Sequence, residues 1–196
     1  MEENDADYHR LLLRDIASRD IALLRHISNE NQLMRLVVHL LSNIGKDLSY
    51  NKLSKLLEIK SVRTVIDYCV YLRESYLVDY IPMYSQSIKK QIANPKKTYA
   101  IDPAFAKANS LSFSRDLGRR LENFVYLQLR YSGNEIFYYR NENRECDFLV
   151  KGNELITSAV QLCWEVNNNN FEREIEGLKA AKKDTSVEKG VIITSN

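Results

Sequence analysis

The chain has 196 residues, with 28 Lys+Arg against 26 Asp+Glu and a formal net charge of +2. That length suits one medium domain or two small ones, and 44% hydrophobic with 28% charged residues speaks against wholesale disorder. The charge is too balanced to argue for nucleic acid by itself, and no apolar run reaches the roughly 20 residues that a transmembrane helix needs.

In chain order, the opening MEENDADYHR is too acidic for a signal or transit peptide. Residues 5–27 read as helix, with Leu11, Leu12, Ile16, Leu23, Leu24 and Ile27 at three- and four-residue spacings. The same period recurs over 30–44 through Leu33, Leu36, Val37, Leu40 and Leu41, with Gly45 as the expected C-cap. Ser49 is placed to cap a short helix buried through Leu53, Leu56 and Leu57. Ser61 is placed to cap a third, buried through Val65, Ile66, Cys69, Val70 and Leu72.

The period then changes. YLVDYIPMYS reads as a strand closed by Pro82, and KKTYAID as a second strand stopped by Pro103. The loop between them is basic: Pro82 to Ile101 holds Lys89, Lys90, Lys96 and Lys97 and no acid. Three helices, a strand, a basic loop and a strand are the order of a winged helix-turn-helix. Further on, 114–132 reads as an amphipathic helix with Leu117, Leu121, Phe124, Val125 and Leu129 on one face. EIFYYRN, ECDFLVKG and LITSAVQLCWEV read as strands, and NFEREIEGLKAAKKD as a helix buried through Phe171, Ile175, Leu178 and Ala181. GVIIT reads as a strand buried on both faces. The expected fold class is α/β (α+β overall), with domains over 1–28 (a helical segment), 29–104 (the winged helix) and 112–196 (an α-β-β-β-α-β module).

Several classes are disfavoured. Cys69, Cys146 and Cys163 stand far apart with no CxxC, which speaks against a disulfide framework or structural zinc and for a reducing, cytoplasmic setting. The six glycines form neither GxxxxGK[ST] nor GxGxxG, so no phosphate-cradling loop is present. His9, His26 and His39 lie on the first helices and read as ordinary helix residues.

Three segments together carry a family resemblance: SYNKLSKLLEIKSVRTVIDYCVYLRESYLV, then NPKKTYAIDPAF, then GRRLENFVYLQLR with ECDFLV, AVQLCW and EREIEGL. They resemble the C-terminal half of predicted prokaryotic ATPases of the AAA superfamily. In that family a P-loop ATPase domain precedes a winged helix and a domain of unknown function related to PD-(D/E)xK nucleases. The ATPase half has no counterpart in this sequence, so ATP binding is expected only in that absent half, and an ATPase domain is an expected partner in cis or in trans. The 1–28 segment would be a remnant of, or linker to, the ATPase, and the C-terminal domain is open to truncation.

The resemblance implies a set of site residues. Asp147 takes the place of the first strand acid and Glu122 that of the helix acid, which together would hold Mg²⁺. Where the third strand should show an acid-x-Lys triplet, Gln161-Leu162-Cys163 stands instead. Glutamine brings no charge to a cation, and cysteine supplies no ammonium beside a phosphorus. Glu165 shares their side of the strand, but lies about 13 Å from Gln161 at roughly 3.3 Å per residue. The site therefore reads as defective, with Gln161 and Cys163 as packing residues. An Mg²⁺-dependent endonuclease using Asp147, Glu122 and Gln161 is the alternative, and a protein-interaction module without nucleic-acid binding is a second.

For DNA, the candidate contacts are Lys60, Arg63 and Thr64 on the third helix, Lys52 and Lys55 before it, and Lys89, Lys90, Lys96 and Lys97 on the wing. Asp67 and Glu74 weaken a major-groove reading of the third helix. Tyr68, Tyr71, Tyr76, Tyr80 and Tyr84 crowd the helix–wing junction and read as a half-buried seam.

Overall fold

Polar side chains just ahead of apolar runs start the helices of the N-terminal half. In the computed structural model, which describes residues 2–111, 116–167 and 170–195, Asn29 accepts from the Gln32 N–H, Ser49 from Lys52 and Ser61 from Arg63. The helices so capped are α2 (Glu30–Ser42), α3 (Tyr50–Leu56) and α4 (Val62–Glu74), preceded by α1 (Glu2–Asp15). Each cap satisfies a backbone N–H that the helix itself cannot. The described residues form an α/β fold with two sheets, and no described helix is long and apolar enough to cross a membrane.

The chain divides into two compact units: Met1–Tyr80 with Thr98–Arg115, and Ile81–Lys97 with Asp116–Asn196. The first buries one core. Leu13, Ala17 and Ile21 of the N-terminal segment share it with Leu33, Leu36, Val37, Leu40, Val65, Leu72 and Phe105. The segment expected over 1–28 thus contributes to this unit's core through Leu13, Ala17 and Ile21. α1 also packs on α6 (Pro103–Asn109), where the Arg10 guanidinium donates to the Ala108 carbonyl at 2.9 Å. Pro103 does stop the strand, and it also opens this unforeseen helix, capped by Asp102 accepting from Ala104 N–H at 2.8 Å.

The strands β1 (Asp47–Leu48), β2 (Val78–Pro82) and β3 (Lys96–Ala100) form a sheet in the order β1-β3-β2. Over 30–100 the expected three helices and two strands occur in the expected order, with two elements that were not expected: β1 ahead of α3 and a helix between β2 and β3. The buried stripes differ in detail. Leu23 and Leu24 are exposed, because Ile16–Leu23 is π-helical and its wider turn takes a 3.6-residue period out of phase; Leu11, on α1, is exposed as well. Leu56 is exposed too, and α2 ends at Asn43, with Gly45 two residues beyond at φ +71°. The stretch between β2 and β3 is not merely a loop: Ile88–Ala93 forms the short helix α5, capped by Ser87.

In the second unit, α7 (Leu117–Tyr131), β4 (Glu135–Asn141), β5 (Arg144–Gly152), β6 (Leu155–Cys163), α8 (Phe171–Thr185) and β7 (Gly190–Thr194) follow in the expected order. The expected helix start at 114 and 115 lies outside the described residues; Asp116 caps α7. The sheet runs β4-β5-β6-β7, antiparallel except for the parallel β6–β7 pair. β7 is an edge strand, exposed or half-buried along its length, where its composition suggested burial on both faces.

On α7 the buried side chains are Asn123, Val125, Tyr126 and Leu127, whereas Leu117 and Phe124 are exposed. Tyr126 lies against Phe148 with ring centroids 6.4 Å apart. On α8, Glu174, Gly177, Leu178 and Ala181 are buried and Phe171 is exposed. Residues 81–97 are tied to β4: Met83 bridges Tyr138 in parallel, Tyr84 N–H donates to the Tyr138 carbonyl at 2.7 Å, and the Tyr138 hydroxyl donates to the Pro95 carbonyl at 2.8 Å.

Gly177 fixes how closely α8 approaches β5, since a Cβ there would sit 2.0 Å from the Glu145 carbonyl oxygen. Backbone cannot yield as a flexible side chain does. Gly177→Ala is therefore expected to destabilise the protein by about 1–3 kcal/mol, the usual range for overpacking, as read from the denaturant midpoint of unfolding.

Candidate functional site

The strand register that pairs Phe148 with Val160 sets Asp147 beside Gln161 on the neighbouring strand. Asp147 N–H donates to Gln161 Oε1 at 3.3 Å, and Leu162 N–H donates to Asp147 Oδ2 at 2.9 Å. Strand alternation puts Glu145 on the same face as Asp147. From α7, Glu122 reaches the same point. Asp147 is thus no solvated turn acid, and Glu122 is no surface acid: both side chains are 13% exposed.

What gathers these acids is Lys97. Its Nζ lies 2.7 Å from Glu145 Oε1, 3.2 Å from Glu122 Oε1 and 3.4 Å from Asp147 Oδ1. The residue is 3% exposed. This corrects its reading as a wing lysine for phosphate: a side chain so enclosed cannot reach a DNA backbone. An ammonium does stand beside the acids, but it comes from β3, not from position 163. Cys163 instead donates to the Glu165 carbonyl at 3.1 Å and lies outside the pocket, and Glu165 is exposed.

The cluster has a second tier. Arg140 Nη2 and Nε both donate to the one oxygen Glu145 Oε2, at 2.6 and 2.9 Å, and so fix the carboxylate whose other oxygen Lys97 holds. Gln161 Nε2 donates to Glu174 Oε2 at 2.5 Å, and Arg173 donates to the other oxygen of that carboxylate. Gln161 is therefore an oriented bridge, donating through its amide and accepting through its carbonyl, and not simply a packing residue. Glu174 was missed because its place on a helix opening Phe-Glu-Arg-Glu gave no sign of burial, yet it is 7% exposed. The only hint was that Gly177, one turn on, leaves room for α8 to close on the sheet.

These groups open onto a pocket of about 500 Å³ lined by Asp116, Arg119, Glu122, Glu145, Asp147, Gln161 and Glu174 among others. Burial lowers the Lys97 pKa, but the pull of Glu122, Asp147 and Glu145 outweighs it and holds the ammonium well above the ordinary lysine value. Burial raises the Asp147 pKa, Glu122 raises it further, and Lys97 offsets only part of this. For Glu145 burial also pushes upward, but Lys97 and Arg140 prevail and the net shift is downward. Burial lifts the Cys146 thiol to about 12 and raises that of Cys163, so neither is a ready nucleophile.

The carboxylates are the hard oxygen donors that Mg²⁺ takes. As arranged, an oxygen of each of Glu122, Glu145 and Asp147 is directed at Lys97, so a divalent ion could share them only by displacing the ammonium. No group of three or more His, Cys, Asp or Glu side chains among the described residues is arranged to hold a metal ion.

The remaining DNA candidates stay on the surface. Lys52, Lys55, Lys60 and Arg63 are exposed in the first unit and Thr64 is half-buried; Arg63 pairs with Asp67 at 3.1 Å. Lys89 and Lys90 are exposed on α5, and Lys96 is half-buried. Tyr68, Tyr71, Tyr80 and Tyr84 are buried or half-buried, as expected of a seam, whereas Tyr76 is exposed.

A family of undetermined role matches residues 1–116, described as Domain of unknown function (DUF8612). The chain belongs to this family. It is also 32% identical, over 186 residues, to the Uncharacterized protein MJ1544 of Methanocaldococcus jannaschii. That match takes in 91% of this chain but 40% of the relative, so the chain spans well under half of that protein's length. No solved structure matches the chain.

Two tests follow from the cluster. Lys97→Met leaves buried carboxylates uncompensated and is expected to cost about 3–5 kcal/mol in unfolding free energy. The acids have opposite pH signatures. Glu145, with its lowered pKa, contributes stability above its unfolded value of about 4.3 that is lost as pH falls through the folded value. Asp147, with its raised pKa, contributes stability below about 3.9 that is lost as pH rises towards the folded value. Urea unfolding across the acid-to-neutral range should show that decline removed by Asp147→Asn and the opposite gain removed by Glu145→Gln.

Proposed function

We propose that this chain is a non-catalytic DNA- or partner-binding module, a winged helix followed by a nuclease-like unit whose former catalytic face is now a structural ion-pair core. The observation that carries this reading is Lys97, 3% exposed and ion-paired to three carboxylates. A catalytic lysine must face the substrate phosphate, and metal-holding carboxylates must be open to the ion. Here each satisfies the other. The exposed Lys52, Lys55, Lys60, Lys89 and Lys90 are the groups that support DNA as the partner.

The family resemblance implies an ATPase domain, in cis or in trans, as the partner that carries ATP. Cys69, Cys146 and Cys163 form no disulfide, as suits a reducing cytoplasm. The second reading, an Mg²⁺-dependent endonuclease, is favoured by one observation: Asp147, Glu122 and Gln161 all line the same pocket, with Glu174 beside them.

A plasmid-nicking assay with Mg²⁺ and with Mn²⁺ separates the two. The expected result is no nicking by the wild type; nicking that Asp147→Ala abolishes overturns the non-catalytic reading. In gel shifts with duplex DNA, each lysine that meets a phosphate should add about 0.9 to the magnitude of the log K against log salt slope.

A further inference from the structure

The segment between β2 and β3 folds into a helix that buries nothing. None of the six residues of α5 is buried, and Ile88 and Ile92 are each 73% exposed, among the largest apolar exposures in the chain. At i and i+4 they share one face. Six residues are too few to hold a helix in water by themselves. This one is held by polar contacts instead: Ser87 accepts from Lys90 N–H, and Gln91 Nε2 donates to the Ser85 carbonyl at 2.6 Å. Local hydrogen bonds thus fix a small apolar knuckle facing solvent.

Its surroundings are of one sign. No acid occurs between Asp79 and Asp102, while Lys89 and Lys90 are exposed on the helix itself. At about 100° per residue, Lys89 flanks the isoleucine face and Lys90 points to the far side of the helix, so Lys89 is the cation placed beside that face. We infer that α5 is a DNA-docking element of the second unit: Ile88 and Ile92 press on the apolar surface of bases in a duplex groove while Lys89 reaches a phosphate on one wall. The inference rests on the DNA-binding reading above and adds an apolar contact to it.

The dimensions agree. Six residues at 1.5 Å rise span about 9 Å, and a single helix fits the major groove, about 12 Å wide. Thymine methyls and exposed base steps are the apolar partners that aliphatic side chains meet in grooves. A lipid surface is a poorer fit, since even a full myristoyl chain gives only marginal membrane binding and two isoleucines bury less.

The test is fluorescence anisotropy with a labelled 20-base-pair duplex across a salt series, with the full chain carrying Ile88→Ala/Ile92→Ala or Lys89→Ala. The isoleucine pair should weaken binding on the order of tenfold at every salt concentration and leave the slope unchanged, because the lost contact is uncharged. Lys89→Ala should instead reduce the magnitude of the slope by about 0.9. Duplex binding that the isoleucine variant leaves intact overturns this inference and spares the DNA reading; a wild type that does not bind duplex overturns both. Sedimentation with phosphatidylserine vesicles completes the set: binding lost in the isoleucine variant would reassign the knuckle to a membrane. All of these substitutions are on exposed residues, so circular dichroism should be unchanged.

Discussion

A buried ammonium amid three carboxylates is the interaction around which the second unit is organised. Lys97 arrives on β3, Glu122 on α7, and Glu145 and Asp147 on β5, so one cation joins three elements that are remote in sequence. None of these groups could be buried alone, because desolvating a single charge costs several kcal/mol. Their mutual presence makes the burial tolerable, and Arg140 and the Leu162 N–H satisfy oxygens that Lys97 does not. Burial raises the pKa of both acids on β5; at Glu145 two cations outweigh it, whereas Asp147, with a share of one cation and Glu122 beside it, stays shifted upward.

This constraint also shapes the chemistry. The site gathers three acids around a lysine, and the ammonium occupies the position where a metal ion would bridge those acids. Gln161, which lacks the charge to compete for a metal, serves as a hydrogen-bonded strut between Asp147 and Glu174.

Much of the fold was legible in the sequence because it rests on local signals. Ser49 and Ser61 cap where expected, the period changes from helix to strand near Val78, and the strand–strand–strand–helix–strand order after residue 134 is as read. Asp147, Glu122 and Gln161 could be proposed because the family resemblance implies acids at those places. The misreadings have particular causes. A π-helical stretch broke the period at Ile16, and α7 faces inward through Asn123 and Tyr126, which a hydrophobic count passes over. Lys97 was read with its neighbours Lys89, Lys90 and Lys96 as one basic run, although only tertiary structure sets it apart from them. Glu174 was hidden for the same reason, since nothing local marks a helical acid as buried.

The path of the chain has one further consequence. Lys97 belongs to the second unit and Thr98, the next residue, to the first, so neither unit is a continuous stretch of sequence. A cut near residue 112, where the expected domains divide, would leave the C-terminal piece with Glu122, Glu145 and Asp147 but without their cation. A self-sufficient second unit must therefore carry residues 81–97 along with 116–196, or it inherits the acids without the base that makes them bearable.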